Sequence, residues 1–267
     1  MDSSTIGRSE VAWAGKPYPE IKRIAGAPGS IVIIPVGSLE QHGLHMPTAT
    51  DTILADAVAK GGANRVAQDI PVLVTPPVWT GLSPHHLAFG GTVSLTLDEL
   101  TDLVVSTVET AVSNGFDAAL LLNGHGGNAA LIADAAVKAG MESTAEVLGL
   151  TYFSLAESFV DDIRESEHGG IAHAGELETS MMMHLRPDLV DEDAIDGTLW
   201  ETPYSDVANE VIESKPLSTY TPIDDYTDSG ALGAPELASA EKGARFFEGF
   251  TDEVSRILRE IHTFHTG

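Results

Sequence analysis

The sequence contains no cysteine among its 267 residues. Disulfide bonds, thiolate metal ligands and catalysis by a thiol nucleophile are therefore excluded. Any metal ion must be held by the imidazole and carboxylate groups of His, Asp and Glu, which suit first-row divalent metals. The ten histidines of the chain supply enough imidazoles for such a site.

Basic residues are also scarce. The chain has 14 Lys and Arg against 40 Asp and Glu, which gives a formal net charge of −26. A negative field of this size disfavours nucleic acid and anionic membranes as partners, because phosphate binding needs Lys and Arg. The acidic residues are scattered along the chain rather than collected in a tail. This pattern favours a solvated, halophilic surface, and an ordinary acidic enzyme from a low-salt organism is the alternative.

Several sequence signals of other protein classes are missing. No apolar run approaches the roughly 20 residues that span a bilayer, and the N-terminal segment has no basic stretch followed by an apolar core. The phosphate-binding G-x-x-x-x-G-K-[ST] loop and the G-x-S-x-G nucleophile elbow are both absent. We therefore expect a cytoplasmic protein that acts on a small molecule, with no membrane or nucleic-acid partner.

Apolar runs alternate with segments of helical periodicity, which is typical of a parallel α/β sheet with helices on both faces. Hydrophobic residues make up 43% of the chain, enough for a sizeable core. The predicted strands cover 30–36, 71–75, 117–122 and 147–153. The predicted helices cover 52–67, 96–115 (opened by a capping box), 128–139, 175–185 and 237–262. We expect one domain, 1–267, in which the irregular segment 188–234 packs over the site; a partly mobile lid is the alternative.

Two groups of polar residues follow predicted strands, where open α/β sheets place their binding sites. Glu40 and His42 follow the first strand, and their spacing of two places both side chains on one side of an extended segment. Asp51 begins the next helix and can turn back towards them. His125 follows the third strand. These four residues form a candidate divalent-metal site with mixed nitrogen and oxygen ligands.

A third polar cluster surrounds the start of the helix predicted at 175–185. Glu176 and Glu178 lie about 200° apart on a helix, so only one of them can face a given ion. The other carboxylate would support the site or face solvent. His173, just before the helix, is a candidate proton carrier because an imidazole titrates near neutral pH.

Three of these segments together resemble the creatininase family (creatinine amidohydrolase and its relatives): PVGSLEQHGLHMPTATD, NGHGGN and HAGELETS. Further similarity lies in GLSPHHLAFGGTVSL and DSGALGAPELASAEKG. The resemblance implies a three-layer α/β/α sandwich with a mainly parallel central sheet. It also implies one or two divalent ions per chain, Zn or Mn with Fe as an alternative, in a homo-oligomer that is often a hexamer. Four residues match the family's metal-binding positions, with Asp51 as the bridging carboxylate: Glu40, His42, Asp51 and His125.

The resemblance also shows one departure. Creatinine-cleaving members carry Tyr-Glu after the histidine of NGHGGN, and that Glu is a metal ligand. This chain has Gly126 and Gly127 at those positions. The missing carboxylate must come from elsewhere, with Glu178 as the first choice and Glu176 as the second. Relatives with Gly-Gly include a formamidopyrimidine-nucleotide deformylase of flavin and deazaflavin synthesis and a mycofactocin-precursor peptidase.

The sequence therefore predicts a metal-dependent amidohydrolase that cleaves an amide-type C–N bond with a metal-activated water. His173 and Glu176 are the candidate catalytic residues. The candidate substrate-binding residues are His86, Trp79, Gly126 and Gly127; for Trp79 a place in the core is the alternative. We expect His85 to point away from the site if its segment is extended. The alternative from another functional class is a non-catalytic binding protein whose fully ligated metal leaves no position for water.

Overall fold

The computed structural model describes residues 7–267, so the first six residues of the expected domain lie outside it. Its centre is a four-stranded sheet in the order β2-β1-β3-β4, in which every pairing is parallel. The strands are β1 (Ile31–Val36), β2 (Val72–Val74), β3 (Ala118–Asn123) and β4 (Glu146–Thr151). Every residue of β1 and β3 is buried, as expected for central parallel strands covered on both faces.

The helices form one layer on each face of the sheet. They are α1 (Tyr18–Ala25), α2 (Thr50–Asn64), α3 (Leu97–Val112), α4 (Ala129–Glu142), α5 (Glu176–Leu185) and α6 (Ala240–Thr266). One face of β1, carrying Ile31 and Ile33, shares a hydrophobic core with α2, α5 and α6. The opposite face, carrying Val32 and Ile34, packs with α1, α3 and α4. The predicted three-layer α/β/α sandwich is confirmed.

Most of the predicted elements are present, with ends that shift by a few residues. The capping box at the start of α3 is formed by Thr96 and Glu99 as predicted, and it satisfies otherwise unpaired N–H groups. Helix α1 was not predicted. It is only eight residues long and starts immediately after Pro17, so its apolar pattern is too short to stand out from the sequence.

The segment 188–234 contains only three-residue 3₁₀ turns and isolated bridges in the structure. Its last part lies against the loops that follow β1 and precede α5. Leu232 N donates to His173 O at 2.8 Å, and Gly230 O accepts from Gln41 Nε2 at 2.9 Å. Within residues 7–267, no helix has the length and apolar character needed to cross a membrane.

Candidate metal centre

The parallel register of β1 and β3 brings two polar loops together. Val36 and Asn123, the last residues of these strands, are paired across the sheet, and Gly124 N donates to Val36 O at 2.8 Å. The loop after β1 carries Glu40 and His42, and the loop after β3 carries His125. Both loops therefore leave the same edge of the sheet, where the sequence placed the site.

The first group of converging side chains consists of Glu40, Asp51 and His125. His125 Nδ1 lies 3.2 Å from Glu40 Oε2 and 3.1 Å from Asp51 Oδ2. All three side chains are almost completely buried. The ligand atoms lie within 4.8 Å of one another, which is close enough for one metal ion to contact all of them.

The second group consists of His42, Asp51 and Glu178. His42 Nε2 lies 3.0 Å from Asp51 Oδ1, so the two oxygens of Asp51 face different imidazoles. Glu178 comes from the first turn of α5, and its Oε2 accepts from Ala174 N at 2.7 Å. Ala174 has a φ of 56°, a left-handed conformation that is unusual for a non-glycine residue. In this conformation the N–H group of Ala174 points at the Glu178 carboxylate and donates to it.

Hydrogen bonds to main-chain carbonyls indicate which imidazole nitrogens are unprotonated. His42 Nδ1 lies 3.0 Å from Glu40 O, and His125 Nε2 lies 3.2 Å from Leu82 O. A carbonyl can only accept, so these nitrogens carry the protons and the opposite nitrogens present lone pairs. In a neutral imidazole those lone pairs face carboxylate oxygens, which also accept. The arrangement therefore needs either a proton or a metal ion between the two acceptors, and a divalent metal ion fits both groups.

Unsatisfied carboxylate oxygens support the same conclusion. In the described part of the chain, both oxygens of Glu40 and Oδ2 of Asp51 are buried without a hydrogen-bond donor. Leaving such charged atoms unpaired in the interior is costly. Burial opposes the ionisation of Glu40, but His125 and His86 outweigh it and hold the pKa of the Glu40 carboxyl well below its usual range. Glu40 is therefore an ionised carboxylate whose oxygens are available to a cation.

The remaining pKa shifts reflect competition between burial and charge. Burial opposes protonation of His42, but the Asp51 carboxylate outweighs it and raises the pKa of the imidazole to about 9. For His125 the nearby Glu40 likewise outweighs burial and raises the pKa well above its ordinary value. Burial raises the pKa of Glu178 to about 7. Protons therefore compete for these groups in the absence of a metal ion.

His173 and His86 lie on the side of Glu40 that faces away from Asp51. His173 Nδ1 is 3.6 Å from Glu40 Oε1, and His86 Nε2 is 3.2 Å from the same oxygen. His173 also forms a third converging group with Glu40 and His42. Burial and the neighbouring His86 lower the pKa of His173 well below its ordinary value, so its imidazole is neutral.

The condition on which His85 was expected to point away from the site is not met, because its segment is not extended. Residues Pro84–Phe89 form a 3₁₀ turn, and the His85 ring stacks on His125 with centroids 5.8 Å apart and planes 11° apart. Burial lowers the pKa of His85 to about 4. A Cβ on Gly127 would collide with His125 Nε2 and Leu82 O and would lie 3.0 Å from His85 Cε1, so glycine lets these groups pack closely. Gly126 is exposed, with nothing within 4 Å of its Cβ position.

Glu178 and Glu176 occupy different environments, as their spacing required. Glu178 lies with His42 and Asp51, whereas the Gly127 position adjoins His125 in the other group. Glu178 therefore does not fill the place beside Gly127.

Glu176 points away from the converging side chains. Its oxygens accept from Lys242 Nζ at 2.6 Å and from the main-chain N–H groups of Glu165 and Ser166, each at 2.9 Å. These contacts tie α5 to α6, so the structure gives no access for Glu176 to a bound substrate.

Trp79 is 53% exposed, which rules out the core position and leaves it available at the surface.

The sequence interpretation missed three buried polar residues near the site. Gln41 contacts both His86 and His173. His45 Nε2 lies 2.9 Å from Thr179 Oγ1, and Ser83 Oγ lies 3.1 Å from His125 Nε2. Gln41 and His45 could have been noticed because they stand in the same short motif as two predicted ligands. Ser83 is 42 residues from His125, and nothing local in the sequence indicates that contact.

Comparisons with known proteins show which family the chain resembles. The family profile described as creatininase (creatinine amidohydrolase) matches residues 17–258. A mycofactocin precursor peptide peptidase of Mycobacterium ulcerans is 31% identical over 85% of this chain and 84% of its own length. A 3-dehydro-scyllo-inosose hydrolase of Thermotoga maritima is 31% identical over 86% and 77%. A creatinine amidohydrolase of Pseudomonas putida is 30% identical over 97% and 98%.

Solved structures extend the similarity to three dimensions. A manganese form of creatininase superimposes with a TM-score of 0.80 at 28% identity, covering 95% of this chain and 98% of the other. A creatininase mutant described as the Zn-Zn type gives a TM-score of 0.80 at 27% identity, with the same coverage. The family profile spans most of the chain, and the relatives cover nearly all of it. The chain therefore belongs to the creatininase family of amidohydrolases.

Proposed function

We propose that this protein is a metal-dependent hydrolase that uses two divalent ions to cleave an amide-type C–N bond in a small molecule. The observation that carries the proposal is the convergence of lone pairs described above. Two imidazole nitrogens and the carboxylate oxygens around them are all acceptors; within residues 7–267, Glu40 Oε2 has no donor, and the only donor facing Glu40 Oε1 is His86 Nε2 at 3.2 Å. A divalent ion stabilises such an arrangement, and protons on His42 and His125 take its place when no metal ion is bound.

Each proposed ion has its own protein ligands and shares Asp51 with the other. Glu40 and His125 would hold one ion, and His42 and Glu178 would hold the second. Asp51 would bridge them, because Oδ1 lies towards His42 and Oδ2 towards His125. Nitrogen and oxygen ligands without sulfur suit Zn²⁺ or Mn²⁺. The creatininase structures described as manganese and Zn-Zn forms support the same metals.

Bound divalent ions would polarise the substrate carbonyl and lower the pKa of a coordinated water to about 7. Proton transfer is then the task of the protein. His173 Nε2 lies 2.8 Å from Gln41 O, so this nitrogen carries the proton and Nδ1 presents a lone pair towards Glu40. We assign to His173 Nδ1 the role of accepting a proton from the attacking water and passing it to the leaving nitrogen. Its lowered pKa keeps the imidazole neutral before the reaction.

The substrate differs from creatinine in this proposal. The position that supplies a carboxylate in creatinine-cleaving relatives is Gly127, and a side chain there would collide with the His125 ring and the Leu82 carbonyl. The exposed Gly126 leaves open space next to His125. Together with the similarity to a peptide peptidase, these features favour an amide or formamide on a larger molecule.

A hydrolysis panel tests the function. The protein would be loaded separately with Zn²⁺ and Mn²⁺ and incubated with creatinine, a formamidopyrimidine nucleotide and short peptides, and the released amine or formate would be measured. We expect turnover of a formamide or peptide amide, about two metal ions per chain, and no more than slow turnover of creatinine.

Two substitutions make the panel specific. His173→Gln should lower kcat by about 10²- to 10⁴-fold, the usual contribution of a general acid–base. His168→Gln is the matched control, because His168 pairs with Glu213 away from the site. Failure of the metal-loaded protein to hydrolyse any amide would contradict the proposed function. A chain that binds metal with no exchangeable water would instead support the non-catalytic alternative.

A further inference from the structure

The side-chain amide of Gln41 has an orientation that its main-chain partners fix. Gly43 N donates to Oε1 at 2.8 Å, and Gly230 O accepts from Nε2 at 2.9 Å. A main-chain N–H can only donate and a carbonyl can only accept, so the oxygen and nitrogen of the amide cannot be exchanged. Gln41 is buried, and these contacts hold it between the loop after β1 and the end of segment 188–234.

This orientation determines the protonation of His86. Gln41 Nε2 lies 2.8 Å from His86 Nδ1. Because an amide nitrogen only donates, Nδ1 must be the unprotonated nitrogen and Nε2 must carry the hydrogen. His86 Nε2 is the atom that faces Glu40 Oε1 at 3.2 Å. A protonated nitrogen cannot ligate a metal ion, and His86 belongs to none of the three converging groups found among the described residues.

The main chain of the same residue determines the protonation of His173. Its Nε2 lies 2.8 Å from Gln41 O, which requires an N–H at this position. The Gln41 Nε2 atom is also 3.3 Å from His173 Nε2. Both atoms are donors, and the two amide protons of Gln41 are already directed at His86 and Gly230. This third approach is therefore a packing contact rather than a hydrogen bond.

We propose that Gln41 is a positioning residue that fixes the Nε2–H tautomer of both imidazoles facing Glu40, which present opposite nitrogens to it. Its side chain makes His86 a donor at Nε2, and its main-chain carbonyl makes His173 an acceptor at Nδ1. One residue thereby supplies the site with a fixed donor and a fixed proton acceptor. The catalytic consequence rests on the hydrolase function proposed above, whereas the tautomers themselves do not.

The contact with Gly230 links this arrangement to segment 188–234. Gly230 has a φ of +87°, and a Cβ there would collide with the Gln41 amide. The segment therefore approaches the amide closely, and Gly230 O occupies the second amide proton. The remaining proton on Gln41 Nε2 is then the one that donates to His86 Nδ1.

Nitrogen-15 NMR of the imidazole rings tests the proposal directly, because two-bond correlations distinguish N–H from bare nitrogens. The sample is the ¹⁵N-labelled full chain loaded with Zn²⁺ at neutral pH, and the signals are assigned with single-histidine variants. In the wild-type protein we expect a bare Nδ1 and a protonated Nε2 for both His86 and His173. A protonated Nδ1 on either ring would overturn the proposal without any need for a variant.

Gln41→Glu separates the two contributions. A carboxylate still accepts from Gly43 N but has no proton for His86, so His86 Nδ1 should become protonated. His173 should keep its tautomer, because its partner is a main-chain carbonyl, and this provides an internal control. Gln68→Glu adds the same charge at an exposed position and should change neither ring. An unchanged His86 spectrum in a folded Gln41→Glu protein would refute the role of the side chain.

Activity supplies a second readout for any substrate that the protein hydrolyses. We expect Gln41→Glu to lower kcat at least about tenfold, the lower end of the effect of supporting residues around metal sites, with little change in KM. A change in KM alone would contradict a positioning role in catalysis. If no amide is hydrolysed, the proposed function fails, while the NMR result still decides the tautomers.

Discussion

Replacing Asp51 by Asn gives the sharpest test of the shared carboxylate. The change keeps the shape of the side chain but removes its charge and makes one of its two terminal atoms a donor. In the structure Oδ1 lies 3.0 Å from His42 Nε2 and Oδ2 lies 3.1 Å from His125 Nδ1. If Asp51 bridges two ions, both groups lose one ligand at once.

Two opposing effects set the expected magnitude. A zinc site with four ligands binds with about 10–16 kcal/mol, so one ligand corresponds to about 3–4 kcal/mol, or a few hundred-fold in affinity. Against this, the wild-type His42, whose pKa is about 9, must lose a proton to bind metal. Removing Asp51 relieves that competition by at most about 30-fold near pH 7.5. The loss of the ligand therefore outweighs the relief. We expect Asp51→Asn to lower zinc affinity about tenfold at neutral pH and a few hundred-fold at about pH 9.5, where His42 is mostly neutral.

Calorimetric titration with Zn²⁺ at both pH values, together with metal analysis of the purified protein, would measure these affinities. Asp56→Asn is the matched control, since it removes the same charge from the same helix at a residue paired with Lys60. We expect the control to bind zinc like the wild-type protein. Two tightly bound zinc ions in Asp51→Asn at the higher pH would refute the bridging role.

Three further predictions concern protons, space and a buried ion pair. The raised pKa of His42 stabilises the folded metal-free protein by about 3 kcal/mol below pH 6.5. This contribution should disappear as the pH rises through about 9, while the affinity for Zn²⁺ increases. Thermal melts with and without zinc would measure both changes. Gly127→Glu should destabilise the fold by about 1–3 kcal/mol through crowding against the His125 ring and the Leu82 carbonyl, and adding His85→Ala should restore little of the loss in denaturant titrations, because His85 is the more distant neighbour. Glu176→Gln should cost about 1–3 kcal/mol because Lys242 loses its closest carboxylate and keeps only its contacts with Glu165 and Leu237 O. Its zinc content should nevertheless stay unchanged, whereas a loss of zinc with intact stability would place Glu176 in the metal centre.

Local sequence pattern was sufficient for much of the fold. Fully buried strands such as Ile31–Val36 read as continuous apolar runs, and the Thr96 capping box marks the start of its helix. Both signals depend on neighbouring residues only. The short helix Tyr18–Ala25 was missed because eight residues give too few turns for a clear period. The 3₁₀ conformation of Pro84–Phe89 could not be predicted, because a short segment of this kind fits either an extended or a helical conformation and its tertiary contacts decide which one forms.

The sequence by itself determined the chemical nature of the site. With no cysteine, polar residues at the ends of two strands and motifs of the creatininase family, it pointed to imidazole and carboxylate ligands around Glu40, His42, Asp51 and His125. The tertiary structure decided how these residues divide into two groups, that Glu178 rather than Glu176 faces them, and which imidazole nitrogens carry protons. Those features depend on hydrogen bonds between segments far apart in the chain, such as His125 with Leu82 and Gln41 with Gly230. Contacts at such separations leave no local pattern, because they exist only after the sheet has brought the loops together.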